Sequence, residues 1–348
     1  MEKQKELKIG VIGLGKMGIL HTALLNVIPS AKLVALSDIN RQLSTYVKNS
    51  GLGVPFYSDL NKMLNEVEMD AVVVCTPPFA NFSIVKHCIE KNLDVFIEKP
   101  LAESFESAKK IFNLSINKDI IHSTGYLFGH IPLFQEAKSL LEKKILGHLY
   151  HFRSSIYISM VFGPKKGWLF EKSKSGGGAI INIGSHIIFL LYWLFGPLES
   201  VFSKIVKIYS KVEDSGTILF EFSNGLIGSL DVSWSIPGYR LSSVRTIIEG
   251  KNGLMEITDD YIKLYLYSKQ GDFPKGWTTI HKIDLDKTSK FDLGGEGYYD
   301  EISHFIDCCL HRKKPVVSWK EGLEVQRIIE AIYKSADSNK HIYLKEVQ

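Results

Sequence analysis

Leu7-Lys8-Ile9-Gly10-Val11-Ile12-Gly13-Leu14-Gly15-Lys16-Met17-Gly18 is an apolar, β-branched run that passes directly into three glycines at GxGxxG spacing. A helical pattern follows over about 16–27, and Asp38 closes the next apolar run at 33–36. GxGxxG alone is a weak signal; the sequence strand, glycine turn, helix and later acid gives it meaning. Each glycine has a physical task. Gly13 permits a tight turn, Gly15 keeps side-chain bulk away from a pyrophosphate, and Gly18 lets the helix lie close to the sheet. The helix start, at Lys16 and Met17, would offer N–H donors and a positive dipole end to the phosphates. The segment predicts a dinucleotide site.

Outward from it, β-branched runs at 8–12, 33–36, 71–75, 95–97 and 120–123 alternate with helical patterns at 16–27, 41–50, 80–91 and 104–117. Such alternation implies βαβ units and a doubly wound parallel sheet, the Rossmann arrangement. The texture changes after Tyr126. A helix at 131–142 leads into strand-like runs at 148–159, 198–208, 215–223, 226–234, 242–249, 253–257 and 260–267. Hairpin signals lie between them, as in Ser223-Asn224-Gly225 and Gly250-Lys251-Asn252-Gly253. A helical stretch at 178–195 interrupts this series, and helices at 296–311 and 320–337 close it. The expected fold class is α/β: a Rossmann domain at 1–125, then an α+β domain at 126–348 with a large open, mainly antiparallel sheet.

At 348 residues the chain exceeds what one core ordinarily serves, which agrees with two domains. Apolar residues make up 45 % and charged residues 23 %, an ordinary globular balance. The formal charge of +4 is dispersed over short pairs such as Lys109-Lys110 and Lys165-Lys166, which argues against a nucleic-acid partner. The longest apolar run, 180–195, is broken by Asn182, Ser185 and His186, so no membrane span is expected. The charged start, Met1-Glu2-Lys3-Gln4-Lys5-Glu6, has no secretory pattern. Cys75, Cys88, Cys308 and Cys309 lack zinc spacing and fit reduced thiols of a cytoplasmic protein, with no metal site expected.

Asp38, 25 residues after Gly13, would accept hydrogen bonds from a ribose diol and repel a 2′-phosphate, which favours NAD. Arg41 could stack on adenine or soften that repulsion, leaving NADP open. Thr76 and Pro77, in the stiff turn Cys75-Thr76-Pro77-Pro78, would flank the cofactor or simply end a strand. Glu98-Lys99-Pro100 follows the run 95–97. Ligands of an open α/β sheet lie outside the carboxyl ends of its strands, so Lys99 would face the crevice. Burial would lower its pKa, Glu98 would oppose that fall, and the charged form would steady a developing alkoxide. Gly176-Gly177-Gly178 opens the stretch 178–195, where Asn182 and His186 are four apart and share a helical face among isoleucines and leucines. A satisfied core histidine is the ordinary interpretation of such a position; the glycine triplet and the asparagine one turn earlier favour a histidine that handles a proton. Together these residues point to a nicotinamide-dependent oxidoreductase.

The glycine fingerprint, Thr76-Pro77, Glu98-Lys99-Pro100 and Gly176-Gly177-Gly178 through His186 resemble the Gfo/Idh/MocA family, the glucose–fructose oxidoreductase and inositol dehydrogenase group. Weaker echoes are Glu213-Asp214 before a strand, Phe222-Ser223-Asn224-Gly225, and the helix entered at Trp319. The resemblance implies NAD(P)-linked hydride transfer at a hydroxyl or keto group of a sugar, cyclitol or nucleotide sugar. It assigns action on the substrate hydroxyl to Lys99 and His186, with Asn182 beside them and Tyr126 and Trp168 as further substrate contacts. It also implies that residues 126–348 bind substrate and join a homodimer or homotetramer through the open sheet. Two alternatives remain: an NAD-retaining, glycosidase-like enzyme, and a non-catalytic NAD-binding regulator, against which the retention of Lys99 and His186 counts. The chain departs from the family pattern at five positions. Asn182 stands where aspartate is usual, Asn81 where a histidine follows the Thr-Pro motif, Leu127 and Gly129 where asparagine and arginine are common, and Phe189 where an acid often lies. The asparagine looks like that of the branch acting on nucleotide-linked amino sugars.

Overall fold

The computed structural model describes residues 6–163, 165–285 and 297–348. Residues 1–5 of the charged start, and residue 296, where the penultimate helix is expected to begin, lie outside the described residues. The chain forms two compact units, one from the described residues of 1–127 and 289–323, the other from those of 128–288 and 324–348.

The first unit holds six strands, β1 (Leu7–Ile12), β2 (Ala31–Ser37), β3 (Phe56–Tyr57), β4 (Ala71–Val74), β5 (Asp94–Glu98) and β6 (His122–Gly125). They pair in parallel in the order β3-β2-β1-β4-β5-β6. β4 and β5 are buried at every position, as strands of a sheet covered on both faces must be, and their unbroken apolar runs meet that demand. Strand order reverses between β1 and β4, and open sheets take ligands at the carboxyl ends beside such a reversal. β3 and the helix Leu60–Glu66 are additions to the expected elements. β3 has only two residues, too few for a pattern, and the helix start depends on Asp59, whose side chain accepts from the N–H groups of Asn61 and Lys62.

The first unit also takes in chain expected in the second domain, from the described residues of 289–323. Ile302, Phe305, Ile306, Cys308 and Cys309 of the helix Tyr298–His311 pack with Leu7, Ile9, Val11, Leu24 and Phe96 on one face of the parallel sheet. Trp319 packs with Val72, Val74, Val95 and Ile97 on the other face. An amphipathic helix shows in sequence that it needs a partner, but not which sheet will cover it. Here Phe305 meets Phe96 edge to face at 5.6 Å, and Arg312 grips both oxygens of Asp94 at 3.0 and 2.7 Å.

The second unit holds nine strands: β7 (Leu149–Tyr157), β8 (Leu198–Val206), β9 (Ser215–Phe222), β10 (Ile227–Ser233), β11 (Ser243–Gly250), β12 (Gly253–Thr258), β13 (Tyr261–Leu266), β14 (Gly276–His281) and β15 (Ile342–Tyr343). Their order is β14-β13-β12-β11-β7-β10-β9-β8-β15, parallel between β7 and β10 and antiparallel elsewhere. Burial alternates along β9, with Ile218 and Phe220 inside and Leu219 and Glu221 exposed, so one sheet face is covered and the other open. β14 has no fully buried position and β15 only two residues, which is why neither was anticipated. The run 172–195 is long and apolar enough by composition to cross a membrane, yet 72 % of its most apolar window is buried within the protein, as in a core helix.

Phe305→Ala should cost about 3–5 kcal/mol of stability, the usual loss for an aromatic removed from a packed core. Urea unfolding measures this; an unchanged midpoint would show that the helix Tyr298–His311 is not part of the first unit's core.

Candidate functional site

At the carboxyl edge of the parallel sheet, Gly13 adopts φ 89°, and a Cβ there would stand 2.9 Å from the main chain of Cys75. A Cβ at Gly18 would lie 1.8 Å from the carbonyl oxygen of Gly13, so the turn and the helix Lys16–Val27 close directly on each other. Gly15 differs. Its backbone is ordinary (φ −70°, ψ −168°), and an added Cβ would meet nothing within 4 Å. The chain itself therefore does not demand glycine at 15, whereas a pyrophosphate lying against the backbone would. The helix beginning at Lys16 has no side-chain cap and no acid in its first turn, leaving its N–H groups and positive dipole end uncompensated. These features fit a dinucleotide's phosphates.

Asp38 lies just past β2. Its Oδ2 accepts from the Leu14 N–H at 2.7 Å and its Oδ1 from the Asn40 N–H at 2.8 Å. The carboxylate is thus oriented against the glycine loop, with acceptor capacity left for a ribose diol. Arg41 is exposed nearby in sequence. The Thr76 hydroxyl donates to Asn81 Oδ1 at 2.9 Å, and Asn81 Nδ2 donates to the Leu101 carbonyl at 3.1 Å. The buried Asn81, where the family pattern has histidine, therefore ties the Thr76-Pro77 turn to the turn that follows Lys99.

Lys99 follows the last residue of β5, in a turn with a cis Lys99-Pro100 bond. It is half-buried. Burial draws its pKa below the ordinary lysine value, and the neighbouring Glu98 charge partly opposes this. Glu98 is buried; its Oε2 accepts from the Lys99 N–H at 3.2 Å and its Oε1 lies 2.7 Å from His21 Nε2. Burial and the Glu98 charge hold the Glu301 carboxyl well above the usual carboxylate range. His21 and Glu301 were not singled out from sequence. The signal for His21 was available: it shares the buried face of its helix with Gly18, Leu24 and Leu25, an unusual place for an imidazole. Gly125 is the register partner of Glu98, and Tyr126, which follows it, is fully buried.

Asn182, His186 and Trp168 belong to the second unit. There the glycine triplet is accounted for by close approach: a Cβ at Gly177 would lie 2.0 Å from the Tyr333 hydroxyl, and one at Gly178 2.1 Å from the Glu213 carbonyl. The buried Glu213 accepts through Oε1 from Gly178 N–H at 2.7 Å, Ile180 N–H at 3.2 Å and Tyr333 hydroxyl at 2.6 Å. This clamp holds the start of the helix that carries the histidine. The helix is not uniform as expected from sequence. Ile180–Gly184 is a π turn and Ser185–Phe195 is α-helical, so Asn182 and His186 are related through a widened turn, a feature common at functional sites. Both are half-buried, with the Asn182 N–H donating to Gly178 O at 3.0 Å and the His186 ring 5.2 Å from that of Phe128. Phe189 is fully buried, and Trp168, in the short turn Trp168–Phe170, is 38 % exposed. Among the described residues, no cluster of three or more His, Cys, Asp or Glu side chains could hold a metal ion.

Residues 7–126 match the family described as "Oxidoreductase family, NAD-binding Rossmann fold", and residues 134–256 match the "GFO/IDH/MocA C-terminal domain". The chain is 24 % identical over 353 residues to the myo-inositol 2-dehydrogenase of Thermotoga maritima, covering 98 % of this chain and 99 % of that protein. It is 22 % identical over 378 residues to the levoglucosan dehydrogenase of Pseudarthrobacter phenanthrenivorans, covering 95 % and 96 %. A solved levoglucosan dehydrogenase in complex with NADH and levoglucosan has a TM-score of 0.88 at 22 % identity, covering 98 % of this chain and 100 % of that one, a likeness of fold.

Gly178→Ala should destabilise the second unit by about 1–3 kcal/mol, since its methyl group would collide with the Glu213 main chain rather than with a flexible side chain. Thermal unfolding followed by circular dichroism measures the loss; a wild-type midpoint would mean that the triplet is not clamped by Glu213.

Proposed function

The chain belongs to the Gfo/Idh/MocA oxidoreductase family, and we propose that it transfers hydride between NAD and a hydroxyl or keto carbon of a sugar, cyclitol or nucleotide sugar. The observation that carries this proposal is Lys99. It stands half-buried at the carboxyl end of β5, on the sheet edge that also carries the Gly13–Gly18 cradle and Asp38, with a pKa drawn down by burial. Bound NAD supplies the hydride acceptor in oxidation and the donor in reduction. Lys99, as an ammonium, binds the substrate oxygen and steadies the alkoxide that develops there. His186 accepts the hydroxyl proton in oxidation and returns it in reduction; an imidazole ordinarily titrates near neutrality, as that role requires. Asn182 orients the ring or the substrate by hydrogen bonding, and Tyr126 and Trp168 shape the substrate site. The Asp38 carboxylate supports NAD over NADP, and the exposed Arg41 leaves room for NADP as a weaker alternative. The names of the relatives, inositol and levoglucosan dehydrogenases, support a polyhydroxylated ring as substrate. Leu219, Ile227 and Trp277, about half exposed on the large sheet, support a homodimer or homotetramer joined through that sheet, and the four free cysteines support a cytoplasmic setting.

A panel of sugars, cyclitols and nucleotide sugars with NAD+ or NADH, followed at the absorbance band of the reduced nicotinamide, tests the proposal. Turnover of one class is expected; none with any member would overturn it. Lys99→Met should lose turnover by about a hundredfold or more while NADH fluorescence titration still shows binding. In the wild type, kcat/KM for oxidation should fall as pH rises through the Lys99 pKa, because the ammonium is lost. Since burial lowers that pKa, the falling limb should begin below the ordinary lysine range. Activity that keeps rising to pH 10.5 would show that the charged lysine is not required.

Asp38→Ser should swing the preference toward NADP by about tenfold or more, through loss of a charge-assisted hydrogen bond and relief of repulsion. Paired KM measurements for the two cofactors check this, and an unchanged ratio would remove Asp38 from the ribose site.

A further inference from the structure

Glu98 sits in a buried pocket whose other members come from three further elements of the first unit. The helix Lys16–Val27 contributes His21, which is 0 % exposed, with Nε2 on Glu98 Oε1 at 2.7 Å. The helix Tyr298–His311 contributes Glu301, 1 % exposed, neither of whose carboxyl oxygens has a hydrogen-bond partner among the described residues, together with Tyr298. The turn after β4 contributes Cys75. From the neighbouring strand, Gly125 confines the acid, since a Cβ there would lie 3.2 Å from Glu98 Oε2. Burial, with the negative Glu98 beside it, pushes the Cys75 thiol and the Tyr298 hydroxyl up, so both stay neutral. Burial and the Glu98 charge also hold the Glu301 carboxyl well above the usual carboxylate range. His21 Nε2 is the side-chain partner of Glu98 in this pocket.

Such an arrangement is poor economy for a core. Buried ionic pairs are often replaceable by apolar side chains without loss of stability, and a second, unpartnered acid beside the pair makes matters worse. Its benefit lies one residue on. Glu98 Oε2 accepts from the Lys99 N–H at 3.2 Å, and the Glu98 charge opposes the desolvation of the lysine.

We infer that His21 is a positioning residue for Lys99 and acts through Glu98: the imidazole holds the Glu98 carboxyl group in the rotamer that serves the lysine turn. The inference rests on the role proposed above for Lys99. Without the imidazole, Glu98 would be a buried carboxylate beside a second acid, lacking its side-chain donor. It would no longer be held toward the Lys99 turn, and Glu301, whose carboxyl oxygens have no hydrogen-bond partner among the described residues, would not replace it. Lys99 would then lose the negative neighbour that offsets its burial, and its ammonium would deprotonate at lower pH.

The test compares His21→Leu, His21→Gln, Glu98→Gln and the His21→Leu/Glu98→Gln double variant in the full chain, each first shown to bind NADH by fluorescence titration. Two quantities are read against pH: the falling limb of kcat/KM, and the rate of Lys99 acylation by acetic anhydride, quantified by mass spectrometry. His21→Leu should move both midpoints down by about one pH unit. Glu98→Gln should do the same, and the double variant should go no further, because both changes remove the same charge. His21→Gln, whose amide can donate to Glu98, should return the midpoints close to wild type. If His21→Leu does not fold, His21→Asn, with an amide too short to reach, takes its place. Unmoved midpoints in a folded variant lacking the donor, or additive shifts in the double variant, would overturn the inference. The acylation midpoint separates the two proposals: if it shifts as described while no substrate is turned over by any form, the reaction assigned to the chain fails and the His21–Glu98–Lys99 coupling stands.

Discussion

A side chain at position 18 would put its Cβ 1.8 Å from the carbonyl oxygen of Gly13, and one at position 13 would press to 2.9 Å from the main chain of Cys75. This closure of the first strand on the first helix, and of both on the end of β4, sets the geometry of the whole carboxyl edge. Because the loop is pinned there, the Leu14 N–H is presented to Asp38, and the uncapped helix start is held at the strand reversal. The same closure fixes the direction in which the helix leaves the sheet. That direction carries His21, in the second turn of the helix, into the interior within 2.7 Å of Glu98. One steric constraint thus links the residues that would hold a cofactor's phosphates to the residue behind Lys99.

The legible parts of the fold were those whose cause is local. Gly13 to Gly18, the apolar runs of β1, β4 and β5, and the hairpin signals of the second sheet each carry their reason in neighbouring residues. Asp38, Lys99, Asn182 and His186 could be named because their residue types break the pattern around them. What escaped were partnerships across the chain. His21 and Glu98 are 77 residues apart, and Glu213 and Tyr333 are 120 apart. No periodicity announces such pairs. The return of residues 297–323 to the first unit escaped for a related reason: Phe305 and Trp319 proclaim an apolar face and nothing about which sheet will cover it. Asn81 was seen only as a departure from a family pattern. Its bonds to Thr76 and Leu101 turn that departure into a structural tie that histidine need not supply.

The two units solve a similar problem with different chemistry. In the first, the glycine loop leaves open ground above Gly15, and backbone donors face it. In the second, the glycine triplet is filled from within: Glu213 and Tyr333 occupy the space that side chains at 177 and 178 would need. A glycine cluster is therefore no certain sign of a ligand, and the distance to the nearest protein atom separates the cases. The buried carboxylate of Glu213 takes three hydrogen bonds, two from backbone N–H groups at the helix start, where they also gain from the dipole. It stiffens the segment that leads into the π turn and His186.

β5 begins and ends with an acid, and the protein treats the two ends in opposite ways. Asp94, at the amino end, receives Nη1 of the Arg312 guanidinium on both of its oxygens and a backbone donor from Ile121 at 2.7 Å. Its charge is matched by an equal and permanent opposite charge, which is what a site devoted to stability needs. Glu98, at the carboxyl end, receives an imidazole, one backbone N–H and the company of an acid pushed well above the usual carboxylate range. Among the described residues, the cation beside it is the lysine that follows, and that lysine is itself held below its ordinary pKa. Satisfying Glu98 fully, with an arginine for instance, would make a firmer core and would cancel the charge that Lys99 senses. The incomplete satisfaction of Glu98 is therefore the physical price of keeping Lys99 responsive, and it falls at the edge of the sheet where a parallel α/β fold presents its ligands.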